Sequence, residues 1–136
     1  LIPVTDDVNA GILKAENEYH YNNSCNFWYA INEEGKIIGS IGLKKIDERH
    51  GEIKKMFVIK EYRGKGVAQK LMNTLLKAAA KHQFEVLILG TTDKFHAAHK
   101  FYANYGFAPI SKNELPSGFE TNRFDCLYFR KMISQK

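Results

Sequence analysis

The chain has 136 residues, of which 44% are hydrophobic and 26% are charged, and this composition suits one soluble globular domain over residues 1–136. No apolar run approaches the roughly 18 residues of a membrane span, and the two cysteines, Cys25 and Cys126, form no CxxC motif. We therefore expect no membrane partner and no disulfide framework, and a cytoplasmic protein in which both cysteines are small buried residues. Because the chain starts at Leu1, we also expect that an opening strand of the domain is missing from it.

The formal net charge of +5 favours an acidic partner, which is either a nucleic acid or a ligand that carries several phosphates. The basic residues are scattered along the sequence, and they form no long basic arm. Nucleic acid is therefore the less favoured partner, and a polyphosphate ligand is the favoured one.

The first half of the chain predicts strands. Residues 1–24 carry the weakest signal, a short helical pattern over 12–19. From Phe27 onward, three segments rich in β-branched and aromatic residues are separated by turns that contain glycine. The segments are FWYAI at 27–31, KIIGSIGLKKI at 36–46 and EIKKMFVI at 52–59. The sequence therefore predicts a meander of three antiparallel strands.

The hydrophobic period then changes to that of a helix. Val67, Leu71 and Leu75 recur every fourth residue and predict an amphipathic helix that ends near residue 82. FEVLILGTT at 84–92 predicts a strand buried on both faces, and a second helix over 95–105 ends at Gly106. Further strands at 107–110 and 126–133 flank a loop that contains LPSGF. This order of elements predicts a mixed α/β domain in which the strands on either side of the first helix are parallel.

The stretch EYRGKGVAQKLM at 61–72 places two glycines and two cations just before the first helix. The first turn of a helix leaves about four N–H groups without internal partners and carries about half a positive charge, so phosphate oxygens fit there. Gly64 and Gly66 let a ligand approach the backbone, and Arg63 and Lys65 add charge. The sequence has neither GxxxxGKS/T nor GxGxxG, which argues against a triphosphate P-loop and a Rossmann dinucleotide site. A glycine-containing turn with exposed charges is the alternative.

Two motifs resemble the signatures of the GCN5-related N-acetyltransferase (GNAT) superfamily. RGKGVA at 63–68 resembles the family's glycine-rich coenzyme loop, and AHKFYANYGF at 98–107 resembles its AxxFYxxxGF signature. The motifs follow the meander in the family's order, and the resemblance covers roughly residues 27–131. It implies a GNAT-like fold, in which a meander and a βαβα unit build a splayed, mixed central sheet. It also implies an N-acetyltransferase that uses acetyl-coenzyme A (acetyl-CoA) as its co-substrate.

The resemblance further implies where the coenzyme lies. In the family the pyrophosphate sits on the loop that matches 63–68, and the pantetheine arm pairs with the strand that matches 57–58. The thioester then lies where this strand splays from the one that matches 87–89. Many members have an asparagine at the position of Phe95, so backbone or apolar contact replaces its hydrogen bond here. The implied coenzyme-binding residues are Phe57, Val58, Arg63, Gly64, Lys65, Gly66, Val67, Ala68, Phe95 and Ala98.

Acetyl transfer to an amine needs a neutral amine, a donor for the oxyanion and a proton for the departing thiolate. A lysine-type amine has a pKa of about 10.4 and is mostly protonated at neutral pH. Tyr102 matches the family tyrosine that faces the coenzyme sulfur and is the candidate acid; a core aromatic residue is the alternative. Glu52 is the candidate base, because many members carry a glutamate near this point; an edge-strand carboxylate paired with a lysine is the alternative. Period two places Glu52 on one face with Lys54, Met56 and Val58.

Other side chains are weaker candidates for chemistry. Cys25 has no histidine signature beside it and is expected to be structural. His96 and His99 lie three positions apart on the second helix, but no third ligand is evident, so we predict solvated histidines and no metal. The less favoured bases are Glu48, Glu61 and Glu85.

The sequence thus favours direct transfer from acetyl-CoA to a primary amine in a ternary complex. A module that binds acyl-CoA or another polyphosphate without catalysis is the alternative, and a basic nucleic-acid binder is the third hypothesis. The acceptor is a small molecule or a peptide, and in the family it is set by the N-terminal helices and by the loop that matches LPSGF. Trp28 and Phe119 are equally compatible with that pocket and with the core. The oligomeric state stays open, with a homodimer as one option.

Overall fold

The structure is a computed structural model, and it describes residues 2–3, 11–14, 26–93, 96–121 and 125–133. The described strands form one mixed sheet, and two helices and two short 3₁₀ turns accompany it. The strands are β1 (Ile2–Pro3), β2 (Gly11–Lys14), β3 (Asn26–Ile31), β4 (Ile37–Lys45), β5 (His50–Val58), β6 (Val86–Thr91), β7 (Ala108–Ile110) and β8 (Leu127–Met132). The helices are α1 (Val67–Lys81) and α2 (His96–Asn104). The order of strands across the sheet is β1-β2-β3-β4-β5-β6-β8-β7.

The predicted meander and the βαβα unit are confirmed. β3, β4 and β5 pair antiparallel in chain order, and β5 and β6 are parallel neighbours that α1 connects. β6 is buried along residues 86–89, as its unbroken apolar run predicts. β8 lies between β6 and β7 and is antiparallel to both. Neither described helix combines the length and apolarity needed to cross a membrane.

The predicted helical pattern over residues 12–19 is wrong where the structure describes that segment. Gly11–Lys14 forms β2, which pairs antiparallel with β3 along all of its four residues. The edge of β3 offers a row of backbone partners, and this tertiary pairing outweighs a weak local period. Residues 15–25, which include Cys25, lie outside the described residues.

One face of the sheet, here called the helix face, packs against α1 and α2. A Cβ built on Gly39 would lie 3.1 Å from Leu71 Cδ1 of α1, and Leu71 belongs to the predicted stripe, which is buried. α2 lies on the same side, because Tyr105, the residue that directly follows α2, donates a hydrogen bond from its hydroxyl to Asn73 Oδ1 of α1 at 3.0 Å. The residues of the sheet on this face include Gly39, Ile41, Leu43, Ile53, Leu87, Leu89 and Phe129.

The opposite face, here called the loop face, is crossed by the loop that precedes β8. A Cβ built on Gly118 would lie 3.2 Å from Ile46 Cγ2. Glu120 Oε1 forms an ion pair with Lys44 Nζ at 3.2 Å. Directly paired residues of neighbouring strands share a face. The residues of the sheet on this face include Gly42, Lys44, Glu52, Lys54, Phe57, Ile88, Gly90 and Tyr128.

A bulge interrupts β5 in the middle of its pairing with β4. Phe57 pairs with Ser40 and Lys54 pairs with Gly42, so a step of three residues in β5 matches a step of two in β4. Lys55, inside this step, has the left-handed φ of 56°. The Ser40 hydroxyl donates a hydrogen bond to the Lys55 carbonyl at 2.7 Å. The bulge therefore has a side-chain support that the neighbouring strand supplies.

Because of the bulge, the predicted alternation of faces along β5 is wrong at Val58. Period two placed Glu52 and Val58 on one face, but the extra residue shifts the phase of the strand. Val58 pairs with Gly39 and is buried on the helix face. Phe57 takes its place on the loop face, where 51% of the side chain is exposed.

Ser40→Ala should lower the free energy of unfolding by about 1 kcal/mol, because the Lys55 carbonyl at the bulge then loses its side-chain donor. Ser117→Ala is the matched control, because Ser117 is exposed in the loop before β8 and has no hydrogen bond to a side chain of the described residues. Denaturant unfolding of both variants measures the difference. Equal losses would show that the Ser40 hydroxyl does not support the bulge.

Candidate functional site

The sheet opens between β5 and β6. Their parallel pairing stops at Glu52 beside Ile88, although β5 continues to Val58 and β6 continues to Thr91. Beyond Glu52, this edge of β5 therefore has no strand partner in the part of the chain that the structure describes. The splay implied by the sequence is confirmed, and its narrow end lies at Glu52.

Backbone groups of β5 face this gap. Ile59 N–H donates to Ile38 O of β4 at 2.9 Å, and backbone groups alternate in direction along a strand, so the Val58 carbonyl faces the opposite way, into the gap. Arg63 Nε donates a hydrogen bond to this carbonyl at 3.0 Å. An extended ligand that pairs with Val58 would therefore share the carbonyl with Arg63 or displace the guanidinium.

The start of α1 adjoins the wide end of the gap. Gly64 and Gly66 have φ of 75° and 90°, which a glycine adopts without strain. The first hydrogen bond inside the helix runs from Lys70 N–H to Gly66 O, so the preceding N–H groups of the first turn have no partner within the helix. No side chain of the described residues caps this end, and the first turn has no acidic residue. The helix start is therefore open to an anion.

The remaining coenzyme candidates lie around this helix start. Arg63 and Lys65 are exposed, and Lys65 Nζ lies 5.8 Å above the centre of the Tyr62 ring. The Val67 side chain is buried in the core, so only its backbone is available to a ligand. Ala68 and Ala98 are half-buried against the core. Phe95 lies outside the described residues.

Tyr102 lies on the helix face in an aromatic cluster. Its ring centre lies 5.9, 6.0 and 6.2 Å from those of Phe101, Phe107 and Phe129. Burial raises the pKa of its hydroxyl to about 12, so the phenol keeps its proton at neutral pH. Among the described residues, the hydroxyl has no hydrogen-bond partner. Phe129 pairs with Leu89, the first residue of β6 beyond the last pair with β5, so the phenol lies on the helix-face side of the gap.

Glu52 lies on the loop face at the narrow end of the gap, and 6% of the residue is exposed. Burial raises the pKa of its carboxyl, the Lys54 and Lys44 ammonium groups lower it, and the Asp125 and Glu120 carboxylates raise it. No described residue forms a hydrogen bond or an ion pair with this carboxyl. β5 is also a central strand, so the alternative of an edge carboxylate paired with a lysine does not describe Glu52.

The less favoured bases are held elsewhere. Glu48 is exposed and forms an ion pair with Lys45 at 2.7 Å. Glu85 forms one with Arg49 at 2.9 Å. Glu61 is exposed in the turn before α1. Glu52 is therefore the carboxylate of these four that the fold places at the gap.

Asp125 is a residue of the site that sequence reasoning missed. A Cβ built on Gly90 would lie 2.6 Å from Asp125 Oδ2, so the carboxylate occupies the space above Gly90 on the loop face. Burial raises the pKa of the Asp125 carboxyl, and the Lys54 ammonium lowers it. A glycine inside an otherwise apolar strand is a signal for such a close approach, and Gly90 is the glycine of β6.

The sequence left open whether Trp28 and Phe119 belong to the acceptor pocket or to the core, and the two residues differ in this respect. Trp28 is buried in the core beneath α1. Phe119 is half-buried on the loop face, and its ring centre lies 5.9 Å from that of Tyr128 in an edge-to-face arrangement. Phe119 therefore adjoins the charged side of the gap, and Trp28 supports the fold.

Two predictions for reactive side chains need correction. His99 is half-buried rather than solvated: its Nε2 donates to the Thr92 carbonyl at 2.7 Å. Cys126 is exposed and its thiol is free, because the residue lies at the rim of the sheet, where its N–H bonds to Thr91 O. The His96 side chain lies outside the described residues. Within the described part of the chain, no group of three potential metal ligands comes together.

The two catalytic candidates lie on opposite faces of the sheet. Tyr102 belongs to the helix face and Glu52 to the loop face, and a group held between β5 and β6 can be approached from both. Together with the open start of α1, this splayed sheet is the architecture of an acyl-coenzyme A transferase domain of the GNAT type. The chain belongs to the acetyltransferase (GNAT) family, whose sequence pattern matches residues 5–107.

Individual relatives agree with this assignment. The chain is 33% identical over 110 residues to N-acetylaspartate synthetase of Xenopus tropicalis, which covers 79% of this chain and 40% of that relative. The chain thus spans less than half the length of this curated relative. An acetyltransferase of the GNAT family from Staphylococcus aureus is 34% identical, with a TM-score of 0.83, over 88% of this chain and 74% of its own.

A third comparison supports the fold alone. A GNAT family acetyltransferase from Elizabethkingia anophelis, solved with acetyl-CoA bound, superimposes with a TM-score of 0.70 at 18% identity. The match covers 95% of this chain and 100% of that one.

Proposed function

We propose that this chain transfers an acetyl group from acetyl-CoA to a primary amine within a ternary complex. The observation that carries the proposal is the gap between β5 and β6, with a carboxylate at its narrow end and an open helix start at its wide end. A thioester held in that gap is reachable by an amine from one face and by a phenol from the other. Family membership and the acetyl-CoA named for the Elizabethkingia neighbour support the same co-substrate.

The coenzyme is held, in this proposal, by backbone more than by side chains. The first-turn N–H groups of α1 and the exposed Arg63 and Lys65 take the pyrophosphate. Phe57 and Val58 present the free edge of β5 to the pantetheine arm, and the bulge at Lys55 turns that edge away from β6. Ala98, in the first turn of α2, completes the contacts that the described residues offer, and Phe95, outside the described residues, stays a predicted contact.

The chemistry divides between two side chains. Glu52 takes a proton from the acceptor ammonium, either directly or through water, and the neutral amine attacks the thioester carbonyl carbon. A C–N bond forms and the C–S bond breaks as the tetrahedral intermediate collapses. Tyr102, whose pKa of about 12 keeps it protonated, gives its proton to the departing sulfur. The products are an N-acetylated amine and coenzyme A. The amide nitrogen loses its second proton to the Tyr102 phenolate, directly or through water, and Glu52 releases its proton to solvent.

A module that binds acyl-CoA without catalysis is the second candidate, because it would use the same helix start. The carboxyl of Glu52 is buried and has no direct partner among the described residues. This favours the enzyme, since a buried carboxylate without a partner costs stability and a binding module has no use for it. Binding of nucleic acid is a third hypothesis; its mark would be an affinity that falls steeply with salt.

Gly64→Ala should weaken coenzyme A binding by about tenfold or more, because the added methyl lies where a phosphate must approach the helix start. Isothermal titration calorimetry with coenzyme A measures the change. Gly35→Ala is the matched control: both glycines have positive φ, 75° and 80°, and a Cβ at either meets no atom within 4 Å. Both variants therefore carry the same backbone strain, and only Gly64→Ala should lose affinity. Equal affinities in the two variants would remove the helix start from the coenzyme site.

We also propose that the protein is cytoplasmic. The exposed free thiol of Cys126 supports this location, because thiols stay reduced in the cytoplasm. The homodimer remains a prediction, and sedimentation equilibrium of the chain would test it.

A further inference from the structure

The charged side chains beside the gap are arranged in alternating sign. Glu52 and Lys54 are two residues apart in β5, before the bulge, and both side chains lie on the loop face. Asp125 covers Gly90 in β6, two residues beyond the partner of Glu52, so it lies on the other side of the gap on the same face. Lys54 thus faces an opening that has a carboxylate on either side of it.

Glu52 has no direct hydrogen-bond or ion-pair partner among the described residues, although the Lys54 and Lys44 ammonium groups lie near enough to lower the pKa of its carboxyl. The residue is buried. A buried charge without a hydrogen-bond partner is costly, and Lys44, which lies across from Glu52 in β4, forms an ion pair with Glu120. An ammonium group of a ligand would supply both the charge and the hydrogen bonds.

Lys54 differs from Lys44 in having no such partner. Among the described residues, no carboxylate lies within ion-pair distance of its ammonium group. Lys54 is half-buried, so this charge is not simply solvated. A carboxylate of a ligand that reaches Glu52 would lie two residues away along the same face of β5.

The loop before β8 bounds the space. Gly118 packs on Ile46, Glu120 pairs with Lys44, and Phe119 packs edge-to-face on Tyr128. These three contacts hold the described part of the loop against the sheet beside the charged opening. A loop held this close to the sheet favours a compact ligand over an extended peptide.

We propose that the acceptor is a small amine that also carries a carboxylate, with its ammonium group between Glu52 and Asp125 and its carboxylate on Lys54. The inference rests on the proposed transferase function and names the substrate class of that site. Three residues then have separate duties. Glu52 binds and deprotonates the amine, Asp125 positions it, and Lys54 selects for the carboxylate.

Acetyl transfer with matched pairs of amines tests the substrate class. Alanine and ethylamine differ by a carboxylate, and so do glutamate and 4-aminobutyrate, which lacks the α-carboxylate and keeps the distal one; putrescine and a short peptide complete the panel. The full chain with acetyl-CoA should favour the amino acid over the simple amine by about tenfold to a hundredfold in kcat/KM, as expected for a charge-assisted contact. Equal use of alanine and ethylamine, or preference for putrescine or the peptide, overturns the inference and leaves the transferase intact. Coenzyme A binding without transfer to any amine overturns the transferase as well.

Two variants separate the roles of the charges. Lys54→Met should raise KM for the amino acid by about tenfold or more relative to KM for ethylamine, and it should leave KM for acetyl-CoA unchanged. Lys77→Met, on the exposed side of α1, makes the same change in net charge and should alter none of these. Asp125→Asn should raise KM for both amines alike. If Lys54→Met weakens both amines equally, or matches Lys77→Met, Lys54 does not select the acceptor.

Discussion

Tyr102→Phe should lower kcat by about tenfold to a hundredfold and leave KM for acetyl-CoA little changed. The ring makes the packing contacts, with Phe101, Phe107 and Phe129, and phenylalanine keeps that ring. The hydroxyl has no partner among the described residues, so its removal leaves no buried group unsatisfied there. Free energy of unfolding should therefore stay nearly constant, and the loss in kcat reports the missing proton donor. Steady-state kinetics and denaturant unfolding of the same preparation measure both.

Tyr105→Phe is the matched control, in the turn that directly follows the same helix. Its hydroxyl donates to Asn73 Oδ1 at 3.0 Å, so its removal should lower the free energy of unfolding by about 1 kcal/mol and leave kcat unchanged. The two variants thus predict opposite patterns of stability and turnover. If Tyr102→Phe turns over at the parental rate, Tyr102 is a core residue and another group must protonate the sulfur.

The regular elements of the fold were predictable because each follows from a local period. Val67, Leu71 and Leu75 share one side of a helix, and the sheet covers that side whatever its details. The apolar run of β6 predicts burial on both faces, and the structure confirms it. Such patterns depend on spacing along the chain, which the sequence displays directly.

The bulge in β5 was not predictable from period. Lys54, Lys55 and Met56 give no sign that one residue is extra, because the bulge depends on the register with β4 and on the Ser40 hydroxyl. Without it, Val58 is assigned to the wrong face. The strand at Gly11–Lys14 was missed for a similar reason, since its partner is the edge of β3.

The same distinction applies to the candidate site: some of its residues follow from local patterns, and others depend on tertiary contacts. The helix start, Tyr102 and Glu52 could be proposed from motifs and strand position, and the fold places them around one gap. Asp125 could not be proposed in this way, because it follows a loop whose described part is held by contacts at Gly118 and Phe119. A loop without periodicity carries no such information in its sequence. The acceptor side of the site is therefore where the structure adds most.

Glu52→Gln should lower kcat by about a hundredfold to ten-thousandfold and remove one inflection from the pH profile. A base works only when deprotonated, and burial raises the pKa of the Glu52 carboxyl. The kcat of the parent should therefore fall as pH decreases through that raised pKa. Glutamine does not titrate, so the variant should show no such inflection.

The free energy of unfolding provides a second, independent test of the same substitution. A carboxyl whose pKa is higher in the folded state binds its proton more tightly there, so stability is lost as pH rises from the unfolded pKa through the folded one. Removing that titration should keep or raise the free energy of unfolding at neutral pH, while kcat falls. Glu48→Gln, an exposed carboxylate in the turn before β5, should change neither the profile nor kcat. An unchanged pH profile in Glu52→Gln would contradict its role as the base, and a large loss of stability would assign Glu52 to the fold instead.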